Sequence, residues 1–407
     1  MARGRWDVIV MGGGPAGTTA ATLLARYGYA VLLIEKEQFP RFHIGESLLP
    51  ISWQIWLRLG IADQIRAMGN PCKRGTLFHL FGKSQHMYRI ADVGEYFVHP
   101  YTYNVIRAEY DELLLNMARA SGVAVRQPAL VKEVIFDGAQ ASGVVIEEAD
   151  GALSRAFAPI IVDATGRSGL LARRQKLRHP DPALNKVAYF THFTGSRRDQ
   201  EPDAGNLTVY AIEGGWIWFI PLRHGIESVG AVMDTEFIRS HSATEPQKFF
   251  DEVIACCPPM AERLAGARQV LEVKVISSLS YIADRFVGDG FVCIGDASTF
   301  IDPIFSSGVH FAHTAGALAA DTIHEALQAG DYSMEFLCRY ERKMRIPMSA
   351  IFPLIYNWYR LLRDPDGANI FALADRVPLL RRTLTLVFGG GYSQEDLRTL
   401  LETINRM

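Results

Sequence analysis

Hydrophobic positions in this chain fall into short continuous runs and helical stripes. Val8–Val10 is an apolar run. It leads through Gly12-Gly13-Gly14-Pro15-Ala16-Gly17 into an Ala-rich segment, Thr18–Tyr27, and a second run, Ala30–Ile34, ends at Glu35. Continuous apolar runs read as strands buried on both faces, and the order strand, glycines, helix, strand, acid predicts a βαβ unit. Ile160–Val162 before Asp163-Ala164-Thr165-Gly166, and Phe291–Ile294 before Gly295-Asp296-Ala297, repeat the buried-strand pattern and predict re-entry into the core sheet.

Elsewhere the period changes. Trp53–Met68 has helical periodicity, Cys72–Phe81 reads as a strand, and Arg107 opens an amphipathic helix with Leu113, Leu114 and Met117 on its apolar side. Val123–Ile146 reads as short strands broken at Asp137-Gly138, and Arg167–Arg174 as a short basic helix. Val187–Asp234 is rich in β-branched and aromatic residues, with turns at Gly205-Asn206 and Gly214-Gly215, and predicts a separate antiparallel sheet. Thr244–Ala265 is helical up to Cys257-Pro258-Pro259. A long Ala-rich helix runs from Ser307-Gly308 to about Leu327. The tail 331–407 is mostly helical, with Gly389-Gly390-Gly391 before a final helix, and its apolar stretch Ile351–Leu362 reads as a packing or substrate-lid helix.

Bulk numbers narrow the classes. With 407 residues and 49% hydrophobic content the chain has room for two or three domains around a sizeable core. Forty-two basic against 44 acidic residues argue against a nucleic-acid footprint or a polybasic membrane anchor. The five cysteines have no metal-ligand spacing and read as reduced thiols of a cytoplasmic protein. The basic start Met1–Arg5 precedes an apolar run too short for a signal peptide, and no segment reaches the ~18 apolar residues needed to span a bilayer.

The chemistry begins at the glycines. Gly12, Gly14 and Gly17 stand at G-x-G-x-x-G spacing, which permits a tight turn, close approach to a pyrophosphate and close helix packing, and Pro15 and Ala16 open the helix whose N–H groups face the phosphates. Glu35, followed by Lys36, is placed to accept from ribose hydroxyls. The loop Lys36–Pro50 would return along the nucleotide, making Glu46 and Ser47 candidate cofactor neighbours, with an ordinary surface loop as the alternative. Arg107 is read either as a grip on a phosphate or flavin edge or as a solvated first-turn residue. Ser307 and Gly308 at a helix start form a candidate anion site.

Taken together, Gly12–Gly17, Glu35, Arg107, Asp163–Gly166 and Gly295–Ala297 resemble the FAD-dependent monooxygenase superfamily over roughly the first 330 residues. Four further stretches, Gly45–Pro50, Lys73–Phe78, Gly215–Pro221 with its W-x-W-x-I-P pattern, and Asp302–Val309, are similar to one branch, the flavin-dependent halogenases. The resemblance implies an α/β chain, α+β overall. A Rossmann-like FAD-binding domain of the aromatic-hydroxylase type would be discontinuous (1–72, 100–182, 275–330), with an antiparallel-sheet substrate domain (73–99, 183–274) and a helical C-terminal lid (331–407). It implies FAD, supplied as FADH2 by a separate reductase, with O2 and chloride or bromide, and no metal. Asp296 would lie near the ribityl–pyrophosphate portion of FAD.

In that family a flavin C4a-hydroperoxide oxidises halide to hypohalous acid. The resemblance assigns its relay to Lys73, the barrier between flavin and organic substrate to Trp216 and Trp218, and the halide site to Ser307 and Gly308. By themselves a tryptophan pair reads as core and Lys73 as a surface lysine. Lys83 is a weaker candidate amine, and His310 and His313 read as packing or supporting residues. Phe305 stands where halogenases of free tryptophan carry a glutamate, which resembles the branch acting on phenols and pyrroles, carrier-tethered ones included. The alternatives are a flavin-dependent aromatic hydroxylase and a non-catalytic flavin-binding or carrier-interacting partner.

Overall fold

A computed structural model describes residues 6–241, 245–363 and 369–391 together with 393, 395, 396, 398 and 402. Met1–Arg5, Thr244 and most of the expected final helix lie outside the described residues.

The buried runs assemble into one sheet. In spatial order its strands are Val287–Gly288, Phe291–Cys293, Ile160–Asp163, Val8–Met11, Val31–Ile34 and Ala124–Arg126, all parallel except the antiparallel outer pair. Met11 is in register with Ile34 on one side and Asp163 on the other, so the carboxyl ends of three strands open onto the same edge, where ligands bind in such sheets. Helices Pro15–Arg26 and Gly308–Ala329 cross over this edge, and glycine sets their spacing. A Cβ on Gly17 would overlap the Gly12 carbonyl oxygen, one on Gly316 would lie 2.5 Å from the Ala16 oxygen, and Gly12 itself has φ +106°. Behind them His313 shares hydrogen bonds with Thr19 Oγ1 at 2.7 Å and Tyr110 Oη at 2.6 Å, which places it in packing.

The second sheet has eight strands. Arg268–Gln269, Lys186–Thr194, Ile226–Asp234, Gly215–Pro221, Leu207–Ile212, Gly75–Leu80 and Ser84–Arg89 follow one another, and Lys274–Ile276 also pairs with Lys186–Thr194. The expectation of a purely antiparallel sheet needs correction: Leu207–Ala211 runs parallel to Thr76–Leu80. These strands come from distant parts of the chain, so no hairpin dictates their direction. Strict alternation gives the sheet two faces. Ile217 and Phe219 pack against Phe249, Phe250 and Val253 of helix Pro246–Ala255, whereas Trp216, Trp218 and Ile220 face the other way. That second face is covered by helices Met334–Arg363, Asn369–Arg376 and Pro378–Gly389 through Ile355, Trp358, Phe371 and Phe388.

Smaller differences have local causes. Gly60, at φ +68°, divides the Trp53–Met68 stripe into helices Ser52–Leu59 and Ala62–Ala67. The basic segment after Gly166 is a 3₁₀ turn, Gly166–Ser168, followed by helix Leu170–Arg174. In helix Arg107–Ala120 the buried stripe is Tyr110, Asp111, Leu114, Leu115 and Ala118, with Leu113 and Met117 at its flanks. Asp137-Gly138 turns a hairpin, Ala129–Asp137 with Gln140–Glu148, whose register shifts between Val131 and Glu133 and between Ile135 and Phe136.

Gly17→Ala should destabilise the fold by about 1–3 kcal/mol, the typical cost of overpacking against atoms that cannot retreat. Thermal denaturation reads this, and an unchanged melting temperature would contradict the glycine-limited crossing.

Candidate active site

A cavity of about 790 Å³ lies between the carboxyl edge of the parallel sheet and the Trp216 face of the second sheet, within the size range of small-molecule and cofactor sites. One end is built from Gly12, Gly14, Pro15 and Ala16, with Glu35 and Lys36 beside them. Gly17 lies beneath, in the packing. Gly14 faces open space, since a Cβ there would meet only Arg41 Nη2 at 3.9 Å. The N-terminus of helix Pro15–Arg26 is thus open to an anion. The buried Glu35 carboxylate accepts from Gly13 N at 2.6 Å and Glu37 N at 2.8 Å, which fixes the turn and still leaves lone pairs for hydroxyls. Lys36 stands exposed at the rim. These donors and acceptors fit the adenosine-diphosphate half of FAD.

Asp296 lines the cavity, and burial pushes its carboxyl up to about 6 against the pull of Arg167, Arg107 and Arg178. Asp163 does not line it. Both its oxygens are used on Thr165 N, Thr165 Oγ1 and Leu171 N, so it shapes the turn that brings Ala164–Ser168 to the cavity. Arg107 lines the cavity, but four of its five N–H groups are already engaged. Nε and Nη2 hold Asp111 at 2.8 and 2.9 Å, and Nη1 donates to the carbonyls of Ile44 at 2.6 Å and Gly45 at 3.2 Å. Its structural contribution is to strap the Lys36–Pro50 loop to the helix. Glu46 and Ser47 of that loop line the cavity, and the buried Ser47 Oγ has no partner among the described residues.

The other end is apolar. Trp216 and Trp218 line it with ring centroids 5.9 Å apart, joined by Ala188, Phe190 and Ile220. Trp218 Nε1 donates to Ser228 Oγ at 3.1 Å. Trp216 Nε1 donates to Tyr359 Oη at 2.9 Å, and Tyr359 donates in turn to Asp302 Oδ2 at 2.7 Å. Lys186, paired with Asp234, stands 4.1 Å over the Tyr359 ring. This buried chain links the tryptophan strand, the C-terminal helix and the loop before helix Gly308–Ala329. Burial pushes the Asp302 carboxyl up to about 7, although Tyr359, the Ile304 N–H and Lys186 pull it down.

In that loop Ser306 takes a left-handed φ of +53° and lines the main cavity. Ser307 is at the N-cap but lies instead on a small neighbouring cavity, and Gly308 lines both. Phe305 is buried against Trp358 and Phe388. His310 Nδ1 is buried without a partner, and among the described residues no group of three or more His, Cys, Asp or Glu could hold a metal.

Lys73 is 1% exposed and does not line the cavity; it sits behind the wall that Glu46 and Ser47 help form. Its Nζ donates to the Leu48 carbonyl at 3.2 Å, and burial alone lowers its amine to about 7. Lys83 is exposed at a turn. Tyr359 and the His192–Glu46 contact, 2.6 Å between Nε2 and Oε1, escape sequence reasoning because each pairs residues far apart in the chain. The one sequence signal for Tyr359 is a phenol within an apolar helical stripe.

Because Asp302 holds its proton more tightly folded than unfolded, it should cost stability increasingly from about pH 4 to about pH 7. Asp302→Asn should flatten that decline in a melting-temperature series, whereas an unchanged slope would contradict the assignment. Tyr359→Phe, which removes the partner of the Trp216 N–H and of Asp302 Oδ2, should cost about 1–3 kcal/mol in the same measurement.

Comparison with known proteins bears on the whole cavity. A family model described as an FAD binding domain matches residues 5–346. The chain is 32% identical to the 1H-pyrrole-2-carbonyl-peptidyl-carrier-protein chlorinase of Pseudomonas fluorescens, covering 88% of this chain and 84% of that protein. It is 33% identical to the corresponding brominase of Pseudoalteromonas luteoviolacea, over 81% and 80%. The solved structure of the flavin-dependent brominase Bmp2 superposes with a TM-score of 0.86 at 28% identity, over 99% and 100% of the two chains. With the glycine turn, the open helix N-terminus and the paired indoles in one cavity, the chain belongs to the flavin-dependent halogenases.

Proposed function

We propose that this protein halogenates an electron-rich phenolic or pyrrolic aromatic, presented free or on a carrier protein, with Lys73 as the relay and a separate reductase as the source of FADH2. The observation that carries the reading is the Lys73 amine, enclosed behind a cofactor-sized cavity and lowered to about 7 with no carboxylate among the described residues holding it charged. A buried amine without a counter-charge costs stability, and such costs concentrate where chemistry needs them.

Bound reduced FAD supplies, with O2, the oxidant that turns halide into hypohalous acid. The protein's residues do the rest. Gly12, Gly14, Pro15, Ala16, Gly17, Glu35, Lys36, Ser47, Arg107, Asp296 and Gly308 bind or frame the cofactor. Trp216 and Trp218 fill the apolar end and keep the organic ring from meeting the oxidant directly. Gly308, with the Ser306-Ser307 backbone before it, offers the halide a helix N-terminus. Neutral Lys73 takes the halogen from hypohalous acid as a haloamine, its N–H proton leaving with hydroxide as water, and passes it to the ring, whose displaced proton returns to the amine. Phe305 supplies no base, which suits a phenol or pyrrole already activated for attack, and relatives acting on carrier-bound pyrrole support that class. The discontinuous FAD domain, the sheet domain and the C-terminal helices as lid are the division we assign to these roles.

Reduced FAD, O2, halide and a panel of phenols and pyrroles, free and carrier-tethered, should give products carrying halogen by mass. Oxygen incorporation without halogen would instead identify a hydroxylase, and rapid NADPH oxidation by the chain alone would contradict the separate reductase. Halogenation should rise as pH increases through about 7, where Lys73 loses its proton, and a rate falling over that range would contradict the neutral-amine relay. Lys73→Met should abolish halogenation while raising the melting temperature most below pH 7. The burial penalty is complete there and fades toward 10.5, the ordinary lysine value.

A further inference from the structure

Oxidation of halide by reduced FAD and O2 consumes a proton: FADH2, O2, X⁻ and H⁺ give FAD, HOX and H2O. The O–O bond breaks, an X–O bond forms, halide is oxidised, O2 is reduced, and the added proton ends on the oxygen that leaves as water. Transfer of X from HOX to the ring releases the ring proton with hydroxide as a second water, so the net demand stays at one proton per turnover. That proton must reach the largely apolar end of the cavity.

Glu46 is 2% exposed, helps form the cavity wall, and its Oε2 has no partner among the described residues. Its Oε1 lies 2.6 Å from His192 Nε2, a contact that requires a proton on one of the two atoms. His192 shares a strand face with Ala188 and Phe190, both in the cavity wall, while its side chain retains 10% exposure under the edge of Phe42. The two residues thus make a short path toward the cavity, from a slightly exposed imidazole to a buried carboxyl. The carboxyl is held in place by backbone: Val105 N donates to the Glu46 carbonyl at 2.8 Å, and Arg107 holds the carbonyl of Gly45. The second carboxyl oxygen, on a residue that helps form the cavity wall, is buried without a partner among the described residues, an unsatisfied acceptor that pinning the loop to the sheet does not explain.

We propose that the Glu46 carboxyl delivers this proton to the cavity and that His192 reloads it. The inference rests on the halogenase reading. Glu46→Gln keeps the shape and a hydrogen bond to His192 but removes the acid. It should lower halogenated product per O2 consumed at least tenfold, with hydrogen peroxide making up the difference, while FAD affinity by fluorescence titration stays within twofold of wild type. In Glu46→Ala, added formate should restore product several-fold where equal ionic strength of sulfate does not. A Glu46→Gln rate within twofold of wild type, a loss of FAD affinity parallel to the loss of product, or no rescue by formate would overturn the relay. Wild-type protein run alongside separates the two failures. If it halogenates, a normal Glu46→Gln variant condemns only the relay, and if it makes no halogenated product the halogenase reading falls and the relay with it.

Discussion

The architecture depends on how closely the first helix can approach the parallel sheet. Gly12, Gly17 and Gly316 each occupy a point where a side chain would meet backbone, and that contact lets Pro15–Arg26 rest between the strand ends and helix Gly308–Ala329. The open N-terminus at Gly14, the Glu35 carboxylate beneath it and the return of the Lys36–Pro50 loop follow from that placement. Arg107 then fixes the loop through two carbonyls, so the cavity wall bearing Glu46 and Ser47 is set by the crossing and a single guanidinium.

The protein also tolerates buried polar groups that a merely structural core would avoid. Burial brings both Lys73, behind the Glu46 and Ser47 wall, and Asp302, beside the aromatic side chains, to about 7, one from above and one from below. Tyr359 lets two of the elements around Asp302 share one hydrogen-bond chain, with Trp216 at its far end. A cavity wall anchored in this way keeps its indoles in one position.

Much of this is legible in the sequence because it is local. The glycine turn, both strand types and the alternating faces of Gly215–Pro221 arise from spacing within a few residues, and the buried runs at Ile160 and Phe291 announce the same sheet. What sequence could not supply is contact between distant segments. Arg107 reads equally well as a phosphate grip until Asp111 and the loop carbonyls are seen to occupy most of its donors. Asp163 resembles a ligand-binding strand end but is spent on its own turn, Ser307 and Ser306 exchange cavities because a left-handed residue rotates the loop, and the parallel pairing of Leu207–Ala211 with Thr76–Leu80 has no local signature. Lys73 carries an ordinary surface residue type, and only tertiary burial reveals its altered amine.

In the proposed reaction the halogen passes through Lys73. A two-stage, single-turnover experiment tests it directly: protein treated with reduced FAD, O2 and halide without any aromatic is freed of small molecules, and the aromatic is added afterwards. Halogenated product should approach one equivalent from wild-type protein and be absent from Lys73→Met. Equal yields from the two proteins, or none from a wild-type preparation that halogenates under continuous turnover, would contradict it.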